Sequence, residues 1–504
     1  MFDSRASGIL LHPTSLPNSW GVGDLGDEAY KFVDFLSENY QQVWQILPIG
    51  PTREGHSPYS SYSSLAGNPL LISLEKLVEE GFLTKQDLSN LSQLEIERVD
   101  YDKAIAVKIP LLKLACENFF DKATLTQKEK FQEFCTTQAY WLDDYALFMA
   151  IKEDQKGASW NKWPLTIAQR LPEVIDTWTK RLKDAIYYHK FLQFQFFSQW
   201  KNLKQYANNL GVSIFGDISF YVAHDSVDVW TNPEIFCLDE EGEAKLMAGV
   251  PSDYFSPTGQ LWGNPVYNWE ALKKTNFRWW VQRIQGMLDR VDLFRIDHFR
   301  GMQAFWAVEK GEKTAENGKW LEASGEKLFS LLEEKMGRLP IVAEDLGIVT
   351  PQVEALRDKF NFPGMKILQF AFDSKGGEPR FLPHNFDSRN CIVYTGTHDN
   401  NTTLGWFEAR SPQEKVKIFD YLGCVCPQDI HWSFIRMAMS SIANLAIFPL
   451  QDVLGLGSEA KMNTPGAAEC NWNWRYCPEA LSAKLGARLK HLTYVYGRAP
   501  EKAN

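Results

Sequence analysis

Three acidic residues stand at the ends of apolar runs. Asp297 closes Val291-Asp-Leu-Phe-Arg-Ile-Asp, Glu344 closes Leu339-Pro-Ile-Val-Ala-Glu, and Asp399 lies at the end of Cys391-Ile-Val-Tyr-Thr-Gly-Thr-His-Asp. Charge on a buried strand is costly unless it is paired or used. Two carboxyls held roughly 5–5.5 Å apart can open a glycosidic bond with retention, one as nucleophile and the other as acid/base. A third carboxylate can hold sugar hydroxyls and favour an oxocarbenium-like transition state. Arg295 precedes Asp297 by two residues, so the two share a strand face, and its charge favours an ionised Asp297. A structural Arg–Asp pair accounts for the stretch 292–300 taken alone. It does not account for acids on three separate strand ends. His298 and His398 are candidate donors to sugar hydroxyls.

Such acids need a frame that gathers strand ends. Eight short apolar runs, centred near residues 10, 46, 216, 295, 343, 368, 394 and 447, alternate mostly with helical periodicity. The helix before the central strand places Trp280, Ile284 and Leu288 four residues apart, Thr350-Pro351 is an N-cap with Pro at N1, and Ser411-Pro-Gln-Glu414 is a capping box. Eight strands alternating with helices predict an α/β fold, a (β/α)8 TIM barrel with helical and loop subdomain insertions. In such a barrel the C-terminal strand ends carry the active site. A single catalytic barrel spans 1–504. A mostly helical insertion, 55–210, follows strand two, and a loop insertion, 220–270, follows strand three. Its centre is Asp253-Tyr-Phe-Ser-Pro-Thr-Gly-Gln-Leu-Trp-Gly-Asn-Pro265, and a loop this long in a compact domain is usually functional.

Composition narrows the partners. With 53 basic and 63 acidic residues the net charge is −10, which argues against nucleic acid and fits a neutral substrate. The first residues lack a signal-peptide pattern, and no apolar window reaches the ~20 residues of a membrane helix. Eight cysteines without a C-x-x-C pair read as reduced, buried thiols of a cytoplasmic protein, with no metal and no cofactor implied. Eighteen Trp and 18 Tyr, many in polar segments, suit the apolar C–H faces of pyranose rings.

Several segments together resemble glycoside hydrolase family 77, the 4-alpha-glucanotransferases of the amylomaltase (disproportionating enzyme) type within the alpha-amylase clan. They are Gly8-Ile-Leu-Leu-His-Pro-Thr-Ser-Leu-Pro17, Ser57-Pro-Tyr-Ser-Ser-Tyr62, Gly216-Asp-Ile, Trp262-Gly-Asn-Pro265, Arg295-Ile-Asp-His-Phe-Arg-Gly301, Ala343-Glu-Asp-Leu-Gly347 and Gly396-Thr-His-Asp-Asn400. The resemblance implies Asp297 as nucleophile, Glu344 as acid/base and Asp399 as transition-state stabiliser. It also implies a loop around Asp253, Gln260 and Trp262 covering the glucan, and Tyr59 as a stacking face. The implied reaction moves alpha-1,4-glucan segments between maltooligosaccharides or starch- and glycogen-derived glucans, through a covalent glucosyl-Asp. For that, Glu344 should have a raised pKa and Asp297 should not. The segment Lys461-Met-Asn-Thr-Pro-Gly-Ala-Ala-Glu-Cys470 departs from the family pattern, which has Arg first, Thr after Pro-Gly and Gly in the place of Cys470. From the residues alone, an alpha-1,4-glucan hydrolase and a non-catalytic glycan-binding barrel stay open as alternatives.

Overall fold

Short apolar runs become strands where β-branched and aromatic side chains can be covered on both faces. In the computed structural model, which describes residues 4–89, 94, 97–252, 258–373, 377–467 and 469–501, eight such runs form one parallel sheet. They are β1 (Ala6–Leu10), β2 (Val43–Gln45), β3 (Ser213–Ile218), β4 (Leu293–Ile296), β5 (Ile341–Ala343), β6 (Gly364–Ile367), β7 (Cys391–Tyr394) and β8 (Leu445–Pro449). The order is β6-β7-β8-β1-β2-β3-β4-β5, and every neighbouring pair is parallel. This is the expected (β/α)8 barrel. All eight expected strands are present. The sixth is shorter than its apolar run, because Leu368–Phe372 coils into a 3-10 turn where the chain leaves the barrel.

The ring is closed unusually between β5 and β6. There the Ala343 N–H donates to the Pro363 carbonyl (2.9 Å), and the Met365 N–H donates to the Asp345 Oδ1 (2.7 Å) in place of a backbone acceptor. Arg357 Nη1 grips the other oxygen of Asp345 at 2.5 Å. Gly364 is required at this seam, since a Cβ would stand 2.3 Å from Asp345 Oδ2.

Helices cover the sheet. Asp27–Glu38 turns Phe32, Val33 and Leu36 inward, and Arg278–Leu288 buries Trp280 and Ile284. The expected capping box at Ser411 forms, and Thr350 is an N-cap with Pro351 at N1. Between β2 and β3 the chain builds a run of helices, among them Tyr101–Lys122, Ala139–Asp154 and Lys183–Asn209, the last packing directly on β3. The stretch read as loop between 220 and 270 holds more order than expected. Leu246–Val250 and Gln260–Pro265 are strands that join Ala304–Glu309 and Gly318–Glu322 in a four-stranded antiparallel sheet. Gln260–Pro265 contains Gly and Asn and is largely exposed, so it carries none of the alternation that marks a half-buried strand.

The cysteines also differ from expectation. Cys116 and Cys391 are buried, whereas Cys424, Cys426 and Cys470 are exposed, because they sit on loops and not on packed faces.

Candidate active site

Strand register gathers the charged rim. Asp217 of β3 is the direct partner of Arg295 in β4, and Ile296 of β4 is the partner of Ala343 in β5. The next residue on each of the latter strands, Asp297 and Glu344, therefore emerges at one level on adjacent strands, which lie about 4.8 Å apart. A backbone bond fixes the pair further: the His298 N–H donates to Glu344 Oε2 at 2.8 Å. The Leu346 N–H donates to Oε1 at 3.0 Å. To reach this position His298 takes a left-handed backbone (φ 49°), a conformation His tolerates better than most side chains.

Arg295 is buried and forks between two acids. Its Nε lies 3.0 Å from both oxygens of Asp217, and its Nη2 lies 2.8 Å from Asp217 Oδ2 and 2.8 Å from Asp297 Oδ1. Tyr59 completes the network, donating its hydroxyl to Asp217 Oδ2 (2.7 Å) and accepting from Arg295 Nη2 (3.0 Å). Burial beside Asp217 keeps the Tyr59 phenol protonated far above the usual range, so it remains a donor.

Asp399 is held differently. Its Oδ1 accepts from Asn463 Nδ2 at 2.6 Å, and its Oδ2 lies 3.3 Å from His398 Nε2. The His398 ring stacks on Tyr59 (centroids 5.2 Å apart, 16° between planes), and Trp472 tilts against both rings. Asn463 and Trp472 frame one loop, whose base is closed by the Trp472 N–H donating to the Met462 carbonyl at 2.8 Å.

Electrostatics separate the three acids. Burial and the neighbouring Asp297 push Glu344 up to about 8, against the pull of Arg295 and the Leu346 N–H. Asp297 is also raised, to about 6: burial, with Asp217 and Asp399 nearby, outweighs Arg295. That corrects the expectation that only Glu344 would rise, although Glu344 stays the weaker acid of the two. Burial raises Asp399 as well, but His398, the Asn463 hydrogen bond and Arg295 overcome it and hold Asp399 well below the usual range. Burial and Arg300 lower His298 to about 4, leaving it neutral near pH 7 with a buried Nε2 that has no hydrogen-bond partner among the described residues.

The remaining candidates fall at the rim. The Trp262 indole meets the His298 ring edge to face (5.0 Å, 87°), and its Nε1 donates to Gln260 Oε1 at 3.3 Å. Trp262 is 39% exposed, an aromatic face open to the cleft. Asp253 lies outside the described residues. Arg300 turns away, stacking over Trp320 (3.6 Å) and donating to the Ile348 carbonyl, which ties the antiparallel sheet to the turn after β5. Sequence reasoning did not select Asp217, Asn463 or Trp472. Asp217 had a signal, an acid near the end of an apolar strand; the other two sit far along the chain in a polar loop. Among the described residues no group of three or more His, Cys, Asp or Glu could hold a metal ion.

A rim of this kind has relatives. The family model for glycoside hydrolase family 77, described as 4-alpha-glucanotransferase, matches residues 11–480. A 4-alpha-glucanotransferase of Synechocystis sp. is 58% identical over 99% of both chains, and one of Thermus thermophilus is 48% identical over 96% of this chain and 97% of that protein. The amylomaltase of Streptococcus agalactiae, solved in complex with acarbose, superposes with a TM-score of 0.95 at 40% identity, covering 98% of this chain and all of that one. The chain belongs to glycoside hydrolase family 77, and it is a 4-alpha-glucanotransferase.

Proposed function

We propose that Asp297, Glu344 and Asp399 divide this reaction as nucleophile, acid/base and transition-state stabiliser. The observation that carries the reading is the backbone bond from His298 to Glu344. It seats the weaker acid beside Asp297, the residue that Arg295 addresses. Glu344 protonates the leaving glycosidic oxygen while Asp297 attacks the anomeric carbon, so the C–O bond to the leaving glucan breaks as the bond to Asp297 forms. An acceptor hydroxyl then gives its proton to Glu344 and displaces Asp297, remaking an alpha-1,4 bond. Asp399, low in pKa, stays ionised throughout and faces the developing positive charge. His298 Nε2, His398 and the Trp262 face bind sugar hydroxyls and C–H faces. Asp253 and Gln260 belong to the same cover over the bound glucan, with Tyr59 lining the floor.

The donors and acceptors are maltooligosaccharides or starch- and glycogen-derived glucans, and the compartment is the cytoplasm, in keeping with eight cysteines of which none is paired. The helices between β2 and β3 and the antiparallel sheet act as insertions that wall the cleft of one barrel. The test uses maltotriose and the pure protein. A ladder of longer oligomers at constant total reducing ends supports transfer; rising reducing ends without longer products would establish a hydrolase. With a maltosyl fluoride donor, Glu344→Gln should accumulate a covalent adduct, and peptide mapping should find it on Asp297. An adduct on any other residue would overturn the assignment.

A further inference from the structure

Behind the Tyr59–Asp217 pair lies a second cavity, of about 50 Å³, lined by Tyr59, Asp217, Ser63, Arg283, Met287 and Arg290 among others. A single water needs roughly 10–15 Å³ by the same measure, so the space exceeds one water several-fold. Two guanidinium groups border it. Arg283 is spent on neutral acceptors: the Ser219 carbonyl (2.5 Å), the Phe220 carbonyl (3.2 Å) and the Tyr267 hydroxyl (3.4 Å). Arg290 is only 6% exposed, and its guanidinium makes no hydrogen bond or ion pair among the described residues. It rests over the Phe197 ring at 4.7 Å, and beyond that only Tyr140 and Asp289 act on it, through space and without a hydrogen bond. Burial lowers it to about 10, still cationic near pH 7.

Asp217 and Asp228 are engaged elsewhere. Asp217 is shared by Arg295 and Tyr59. Asp228 accepts from Ser64 and from Trp279 Nε1. Asp289, beside Arg290 in the chain, is exposed to solvent. A buried cation with no hydrogen bond, whose one nearby counter-charge stands out in solvent, is a costly arrangement for a fold to hold. We infer that this cavity is an anion site, in which Arg290, with Arg283 beside it, takes a small monovalent inorganic anion of halide size. Arg290 supplies the unused N–H donors and the charge. The cavity shares Asp217 and Tyr59 with the network that holds Arg295, so an anion there braces that network.

The experiment uses the whole protein in sodium gluconate and in sodium chloride at equal ionic strength. Chloride should raise the unfolding temperature saturably, by about 2 °C or more at saturation, and Arg290→Met should abolish the difference between the two salts. A crystal grown without halide and soaked in bromide should show an anomalous peak in the cavity, within contact of Arg290. The bromide measurement needs only the wild type, so it decides the matter even where Arg290→Met fails to fold. Equal unfolding temperatures in both salts, or an occupied cavity without anomalous signal, would mean that water alone solvates Arg290 and would overturn the inference. A bromide peak without any saturable effect of chloride would mark an adventitious ion only and overturn it equally.

Discussion

Asp297 and Asp399 are the same residue type, each just past a strand of one barrel, yet their surroundings drive them in opposite directions. Asp297 is one-third exposed, with Arg295 on one side and the charges of Asp217 and Asp399 around it, and it rises. Asp399 is 45% exposed, receives a 2.6 Å amide hydrogen bond and faces His398, and it falls. Proximity of a single cation does not decide the matter. Arg295 is divided among two acids and a phenol, so it satisfies each only in part. The β4 side of the cleft is built to keep a proton within reach, and the β7 side to keep one away.

Neutralising the acids that follow β4 and β5 should have the largest effect. Glu344→Gln is expected to lower kcat/KM about 10²–10⁴-fold, the usual contribution of an acid/base residue, and Asp297→Asn at least as much, measured on maltotriose disproportionation. In the wild type, kcat/KM should follow a bell. With the proposed roles, Asp297 becomes protonated below about 6 and can no longer serve as nucleophile, and above about 8 Glu344 loses the proton it would donate. A profile flat across that range would mean that neither acid titrates in the rate-limiting step.

Arg295→Met comes next. It strands two carboxylates, so stability should drop by about 3–5 kcal/mol in urea denaturation. Because Arg295 holds Asp297 down, its loss should move the acid limb of the pH profile upward; a limb that stays in place would assign it to another group. Asn463→Ala tests the β7 side more gently. Losing one charge-assisted hydrogen bond at a half-open site should cost about tenfold in kcat. The acid limb should not move, since Asp399 remains the strongest acid of the three. If the limb moves, Asp399 governs it. The smallest effect belongs to Trp262→Ala, which removes an open aromatic face and should raise KM several-fold while leaving kcat nearly unchanged.

The barrel was legible because each strand is an apolar run that stops at a polar residue, a pattern that burial on both faces imposes. The acids were legible for the same reason, as polar residues where that pattern breaks. What escaped obeys other rules. Gln260–Pro265 is a strand by pairing alone, with Gly263 and Asn264 inside it and most of its surface in water. Asn463 reaches Asp399 across 64 positions, and Trp472 lies farther still from Tyr59, so nothing local announces either contact. The rise of Asp297 escaped because it follows from three-dimensional crowding of like charges, and its neighbour in sequence, Arg295, points the other way.

The seam between β5 and β6 gives the barrel the character of a split ring with a clasp. The clasp is the Asp345 carboxylate, and the residue before it is Glu344. Asp345→Ala would open the ring beside the proposed proton donor while touching no sugar, so its damage should appear as a misaimed acid: kcat falls and KM holds. Deuterium exchange at Met365 would report the opening directly, with that amide exchanging ahead of those in the β1–β2 ladder. A carboxylate that looks like architecture would then prove to set the aim of the chemistry next to it.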